Sequence, residues 1–174
     1  FEDGDGRFET ANIARRSSTD WQLTVTGIPS HSSLVFTEDV GAGAIYEASR
    51  ILHEFYTALS GEPNLTFNPG VILGGTDTEY NVDENGGEAF GKNNIVAKAV
   101  VVTGDIRAIS TEQLEAAQVR MKEITSNHLP RTKAEIVFGD GYPALAPTEG
   151  NYKLLGYFDK VSKDLGYGPV RAVN

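Results

Sequence analysis

Cysteine is missing from all 174 residues, and basic side chains are scarce. The first absence excludes disulfide bonds, thiolate zinc sites and iron–sulfur clusters. The second leaves 15 Lys and Arg against 24 Asp and Glu, a formal net charge of −9. Nucleic acid and anionic lipid both reward clustered cations, so neither is expected as a main partner. Long apolar runs are missing too: the longest, such as residues 95–97 and 99–102, fall far short of the ~20 residues a membrane-spanning helix needs. There is no initiator Met and no signal-peptide pattern. The chain is therefore expected to be a piece of a longer protein, and its compartment stays open.

The composition that remains is that of a folded α+β chain: one domain, or one domain plus part of another. Residues 1–20 are polar and rich in turn-formers, and read mostly as a connector. Trp21, Leu23 and Val25 then alternate with polar neighbours, a half-buried strand stopped by Gly27 and Pro29. Over residues 41–59 the period changes: Ile45, Ala48, Leu52, Phe55 and Leu59 form one helical stripe. A second strand is expected at residues 65–73, and Pro69 within it argues for an edge or a bulge. Residues 76–92 read as a polar, Gly-rich loop, and residues 94–107 as a strand buried on both faces. Ser110 and Gln113 form a capping box ahead of the stripe Leu114, Ala117, Met121, Ile124 and His128. Ala134, Ile136 and Phe138 mark a fourth strand, and residues 151–165 a last helix. The order β-α-β-β-α-β predicts a ferredoxin-like fold: a four-stranded antiparallel sheet with two helices on one face and its second and fourth strands at the edges. The last helix has no sheet of its own to cover.

Few motifs carry chemistry. Gly86-x-x-x-x-Gly91-Lys92-Asn93 approaches a phosphate loop, but Asn93 lacks the hydroxyl and a strand follows where a helix is needed. Asp3-x-Asp5 and residues 83–86 lack a full calcium-ligand series and read as solvated turns. Asn64-Leu65-Thr66 is a glycosylation sequon of the kind that arises by chance. The three histidines, His31, His53 and His128, share no zinc spacing. His53 lies between stripe positions, and His128 near a helix C-terminus, where a partly buried or dipole-stabilising role is the default. His31 stands out, in the Ser-rich loop Pro29-Ser30-His31-Ser32-Ser33 after a strand, although no orienting acid or oxyanion hole is evident beside it.

The stretch Trp21-x-Leu23-x-Val25-Thr26-Gly27-x-Pro29-x-His31-Ser32-Ser33, followed by Asp39-Val40-Gly41-Ala42-Gly43-Ala44-Ile45, resembles the dimerisation (lid) domain of the co-catalytic zinc peptidases. This family includes carboxypeptidase G-type enzymes, acetylornithine deacetylase and succinyl-diaminopimelate desuccinylase. Gly74-Gly75-Thr76, Asn94-Ile95-Val96-Ala97, Gly104-Asp105-Ile106-Arg107 and Leu165-Gly166-Tyr167-Gly168 resemble further family segments in the same order, so the likeness covers nearly the whole chain. It implies residues 1–16 as the end of a catalytic-domain segment, 17–142 as the lid and 143–174 as the returning catalytic segment. It implies a parent hydrolase, a zinc-dependent exopeptidase or amidohydrolase acting on a peptide or N-acyl amino acid, with two zinc ions in the full-length protein and none bound to this inactive piece. Glu2 then matches an acidic metal ligand. His31 matches the lid histidine that stabilises the oxyanion in the partner subunit's active site, and Asn94 and Arg107 match substrate-carboxylate ligands. His31 is thereby expected apart from Asn94 and Arg107 on one lid, serving opposite active sites. The homodimer is expected to form through the second strand and first helix, with charged substitutions at Phe67 or Val71 giving monomers. The likeness leans to glutamate-carboxypeptidase-like members, but Tyr142 stands where those carry an Arg, Ala97 where a proline is usual, and the 76–92 loop is long. The alternative is a free-standing ferredoxin-like module binding a small carboxylated ligand, with His31, Asn94 and Arg107 in one pocket.

Overall fold

The computed structural model describes residues 2–3, by their backbone alone, and 9–173. Within them run β1 (Glu2–Asp3), β2 (Thr10–Asn12), β3 (Ser18–Thr26), α1 (Ala44–Leu59), β4 (Thr66–Gly75), β5 (Asp77–Asn81), β6 (Gly86–Phe90), β7 (Ala99–Arg107), α2 (Thr111–Ser126), β8 (Lys133–Tyr142), α3 (Glu149–Asp164) and β9 (Arg171–Val173). The main sheet has the order β4-β7-β3-β8, antiparallel throughout, with β4 and β8 at its edges. This is the ferredoxin-like α+β arrangement that the element order predicts. None of the described helices is long and apolar enough to cross a membrane.

Alternation along β3 points Trp21, Leu23 and Val25 at the helices, where they meet Ala48, Ile51, Phe55, Met121 and Ile124 in one core. Trp21 packs edge-on against Phe55 at 6.1 Å. The indole fits because Gly104 is its cross-strand partner on β7. A Cβ at Gly104 would stand 2.6 Å from the ring and 1.9 Å from the Asn68 carbonyl.

The helices carry the expected caps, with one shift of face. Ser110 Oγ accepts from the Gln113 N–H at 3.2 Å, and Gln113 Oε1 accepts from the Ile109 N–H at 3.0 Å. On α1 the buried stripe is Ala44, Glu47, Ala48, Ile51, Phe55 and Leu59. Of the stripe expected inside, Ile45 leans outward and is 49% exposed, whereas Leu52 is half-buried and packs against the core. The helix is turned so that Ile45 lies over the edge strand, where a Cβ at Gly74 would meet it at 3.4 Å.

Three expectations are corrected. Residues 76–92 form a hairpin, β5–β6, closed at its base by the Thr76 N–H donating to the Phe90 carbonyl at 2.7 Å. It folds back over the sheet, with the Leu73 side chain against Gly87. This half-cover explains why Ala99, Val101 and Thr103 of β7 are only partly buried, whereas Val100, Val102 and Ile106 on the helix side are fully so. The strand itself starts at Ala99, five residues later than expected from Asn94. Residues 1–20 are more than a connector: β2 joins β1 and β9 in a small sheet, and β3 begins at Ser18. Where the chain enters and leaves the main sheet, Arg15 and Leu145 exchange two backbone hydrogen bonds of 2.8 Å. Asn151 on α3 donates to the Ile13 carbonyl at 2.6 Å.

Candidate functional site

The stretch 94–98, free of the strand ladder, grips the loop that carries His31. His31 pairs with Ile95 in an isolated bridge. The Ser32 N–H donates to the Asn94 carbonyl at 2.8 Å, and the Val96 N–H to the Ser30 carbonyl at 2.8 Å. The Ala97 carbonyl accepts from the Ala44 N–H at 3.0 Å, which ties the same stretch to the start of α1. Gly43, at φ 80°, makes that close approach possible, because a Cβ there would stand 2.5 Å from Val96 Cγ1. His31 and Asn94 are therefore neighbours in one chain, which corrects the expectation that the lid holds them apart. The cause is backbone pairing between the exits of β3 and β4–β6, a contact that spacing along the chain does not reveal.

Within its turn, His31 caps a single 3-10 turn, Ser32–Leu34. Its Nδ1 accepts from the Ser33 N–H at 3.2 Å and lies 2.8 Å from Ser33 Oγ. His31 and Asn94 are both exposed. The chain between this turn and α1 lines a separate cleft of about 790 Å³ through Phe36 and Thr37, with Tyr46, Pro130 and Arg131.

Arg107 is elsewhere. It ends β7, and the eight residue steps from Ala99 put it about 26 Å from the His31–Asn94 end at ~3.3 Å per residue. There its Nε donates to Asp105 Oδ2 at 2.8 Å. That hydrogen bond and the Asp105 charge raise the guanidinium pKa above its ordinary value. Across the sheet, the Arg15 guanidinium stacks 4.9 Å over the Tyr142 ring, and Arg16 donates to Thr66 Oγ1 at 3.0 Å. Arginines and a tyrosine thus gather where the chain enters and leaves the sheet, while His31 and Asn94 hold the opposite end. The three residues do not share one pocket, contrary to the free-standing-module alternative.

Glu2 pairs with Asn12 through its backbone; its side chain lies outside the described residues. Among the described residues no group of three or more His, Cys, Asp and Glu could hold a metal ion. His53 is exposed, as expected from its place between stripe positions. His128 lies just beyond α2 with Nδ1 3.6 Å from Glu47 Oε1.

Sequence reasoning missed Ser33, Glu47 and Arg50. Glu47 is fully buried on α1. Arg50 grips both its oxygens, at 2.7 and 3.1 Å, and also donates to the Ile124 and Asn127 carbonyls. The Leu129 N–H donates to Glu47 Oε2 at 3.1 Å. The i,i+3 spacing of Glu47 and Arg50 was the available signal; burial of the acid was not readable from it.

The family model of the peptidase dimerisation domain matches residues 13–133. Among solved structures the chain resembles aminopeptidase PepT from Bacillus cereus, at 17% identity and a TM-score of 0.66, over 99% of this chain and 42% of that one. It also resembles a hydantoinase/carbamoylase family amidase from Burkholderia ambifaria, at 15% identity and TM-score 0.62, over 93% of this chain and 36% of that one. A tripeptidase from Staphylococcus aureus matches at 14% identity and TM-score 0.58, over 95% and 40% of the two chains. At these identities the likeness is one of fold, and the chain spans less than half the length of each of these proteins. No curated protein matches the sequence.

Proposed function

The chain belongs to the peptidase dimerisation domain family, and from that premise we propose that it is the dimerising, substrate-capping part of a zinc-dependent exopeptidase or amidohydrolase. The substrate is a peptide or N-acyl amino acid with a free carboxylate, and the bond broken is an amide. The observation that carries this reading is the apolar strip along a free sheet edge. β4, ten residues long, ends the sheet. Ile72 on its helix side is 57% exposed; along the same edge α1 bares Ile45, 49% exposed and over Gly74, and Tyr56, 65% exposed and beside Phe67 and Pro69. A half-paired strand next to bare apolar side chains is an aggregation hazard unless a partner covers it. A second copy across a twofold axis covers it and continues the sheet.

In this reading His31 is a donor to the oxyanion that forms during amide hydrolysis, and it acts in the partner subunit's site. Asn94, beside it, is a ligand to the substrate's carboxylate through its side-chain amide. Arg107 offers a planar pair of N–H groups to a substrate carboxylate at the other end of the lid. Tyr142, paired with Arg15, replaces the Arg of glutamate-releasing enzymes, so a glutamate-carboxypeptidase-like member here accepts neutral side chains as well. Residues 17–142 are the lid, and the flanks 1–16 and 143–174 belong to the catalytic domain. In support, Leu154, Tyr157 and Val161, which share one side of α3, are all at least half exposed, a face suited to burial in a larger body.

The described residues do not by themselves fit a zinc pair, so the metals are assigned to the rest of the polypeptide, with Glu2 the one ligand this chain contributes. Light scattering of the chain should give a dimer. The longer polypeptide that carries it should hydrolyse an N-acyl amino acid when loaded with zinc. A monomeric chain, or a zinc-loaded polypeptide that cleaves no amide, refutes the proposal.

A further inference from the structure

Resting on the reading of His31 as a donor to substrate, we infer that Ser33 is a positioning residue that locks His31 in the neutral tautomer with its proton on Nε2. The Ser33 N–H points at His31 Nδ1 from 3.2 Å, and Ser33 Oγ lies 2.8 Å from the same nitrogen. A backbone N–H only donates. Nδ1 must therefore keep its lone pair, and the single proton of a neutral imidazole then resides on Nε2. The hydroxyl, facing a nitrogen already acting as acceptor, donates as well.

The backbone holds this arrangement before any ligand arrives. His31 has the extended conformation of a capping residue, φ −62° and ψ 139°. The loop is pinned on both sides of it by the bonds to Asn94 and Val96 and by the bridge to Ile95. With Nδ1 turned into the turn, the outward edge of the ring carries an N–H. In this tautomer Nε2 cannot accept a proton, so His31 does not serve as a general base at that edge. It presents a neutral, fixed donor, which is what a developing oxyanion needs and what a freely rotating imidazole supplies poorly. No proton changes hands at His31 in this role.

A purely structural reading makes His31 a cap and nothing more. The two readings part on His31→Asn, whose Oδ1 can still accept from the Ser33 N–H while the Nε2–H is gone. The first experiment is long-range ¹H–¹⁵N correlation NMR on the labelled chain, on the alkaline side of the histidine titration. His31 should show an unprotonated Nδ1 and a protonated Nε2, with a smaller excess of that form in Ser33→Ala. A wild-type His31 protonated mainly on Nδ1, or an even mixture, overturns the inference whatever the parent enzyme does. The second experiment uses the longer polypeptide. Ser33→Ala should lower kcat about tenfold with KM unchanged, and Ser33→Thr should restore it. A wild-type kcat in Ser33→Ala removes the positioning role and leaves the proposed function standing. A wild-type kcat in His31→Asn removes the donor role itself, and this inference with it.

Discussion

Glu47 shows how a charged residue can occupy a core position. Burial pushes its carboxyl upward, but the Arg50 guanidinium, the Leu129 N–H and the His128 ring together hold it below the ordinary carboxylate range. A carboxyl depressed on folding adds stability at neutral pH, and that contribution disappears as pH falls through the depressed value. Urea unfolding from about pH 7 down to about pH 3 should therefore show a steep acid limb that flattens in Glu47→Gln. Arg50→Ala leaves the carboxylate buried without its main partner. The expected cost is about 3 kcal/mol, near the low end for a broken buried pair because Arg50 keeps some solvent contact. Gly104 makes an opposite demand, for space. Gly104→Ala should cost about 3 kcal/mol by driving a methyl group into the Trp21 ring and the Asn68 carbonyl, and thermal unfolding measures it. Neither residue was legible in the sequence. Helical period marks which positions face inward only when they are apolar, and a lone strand glycine announces a close approach without saying to what.

Element by element, the sequence was more informative. The four strands and two helices of the main sheet follow from periods of two and of 3.6, and the caps Ser110 and Gln113 stand where their spacing puts them. The hairpin β5–β6 escaped because its strands are mostly exposed and carry little apolar alternation; only the Asn85-Gly86 turn signal remained. The face of α1 was read a fraction of a turn off, since Ile45 suits a buried stripe and an interface equally well. That ambiguity decides how the proposed dimer edge should be tested. Phe67 packs against the core and Val71 lines a cleft of about 550 Å³ under the hairpin, so a charge at either perturbs more than the edge. Ile72 is the cleaner probe. Ile72→Asp should turn a dimer into monomers on light scattering with an unchanged circular dichroism spectrum, and Ile45→Asp should do the same. Monomers from Phe67→Asp alone would point to damaged folding, and dimers in all of these variants would remove the β4–α1 interface.

At the scale of the whole molecule, the proposed function gives the lid two working ends. His31 and Asn94 sit together at one, and Arg107 at the other, about 26 Å away. The sequence named all three through family likeness, but their division between the ends needed the pairing of residues 94–98 with the His31 loop. One small substrate cannot touch both ends of the same lid. In a twofold dimer it can meet the His31 end of one subunit and the Arg107 end of the other. Mixing two crippled versions of the longer polypeptide tests this arrangement. His31→Ala homodimers and Arg107→Ala homodimers each lack one group at every active site, so both should be slow. In a hybrid dimer, one site has lost both groups and the other has kept both. Random exchange makes half the dimers hybrid, and the mixture should recover about a quarter of wild-type activity. If both groups served their own subunit, every site in every hybrid would still lack one of them. The mixture would then stay as slow as its parents, and the lid would have to be redrawn as acting on its own chain.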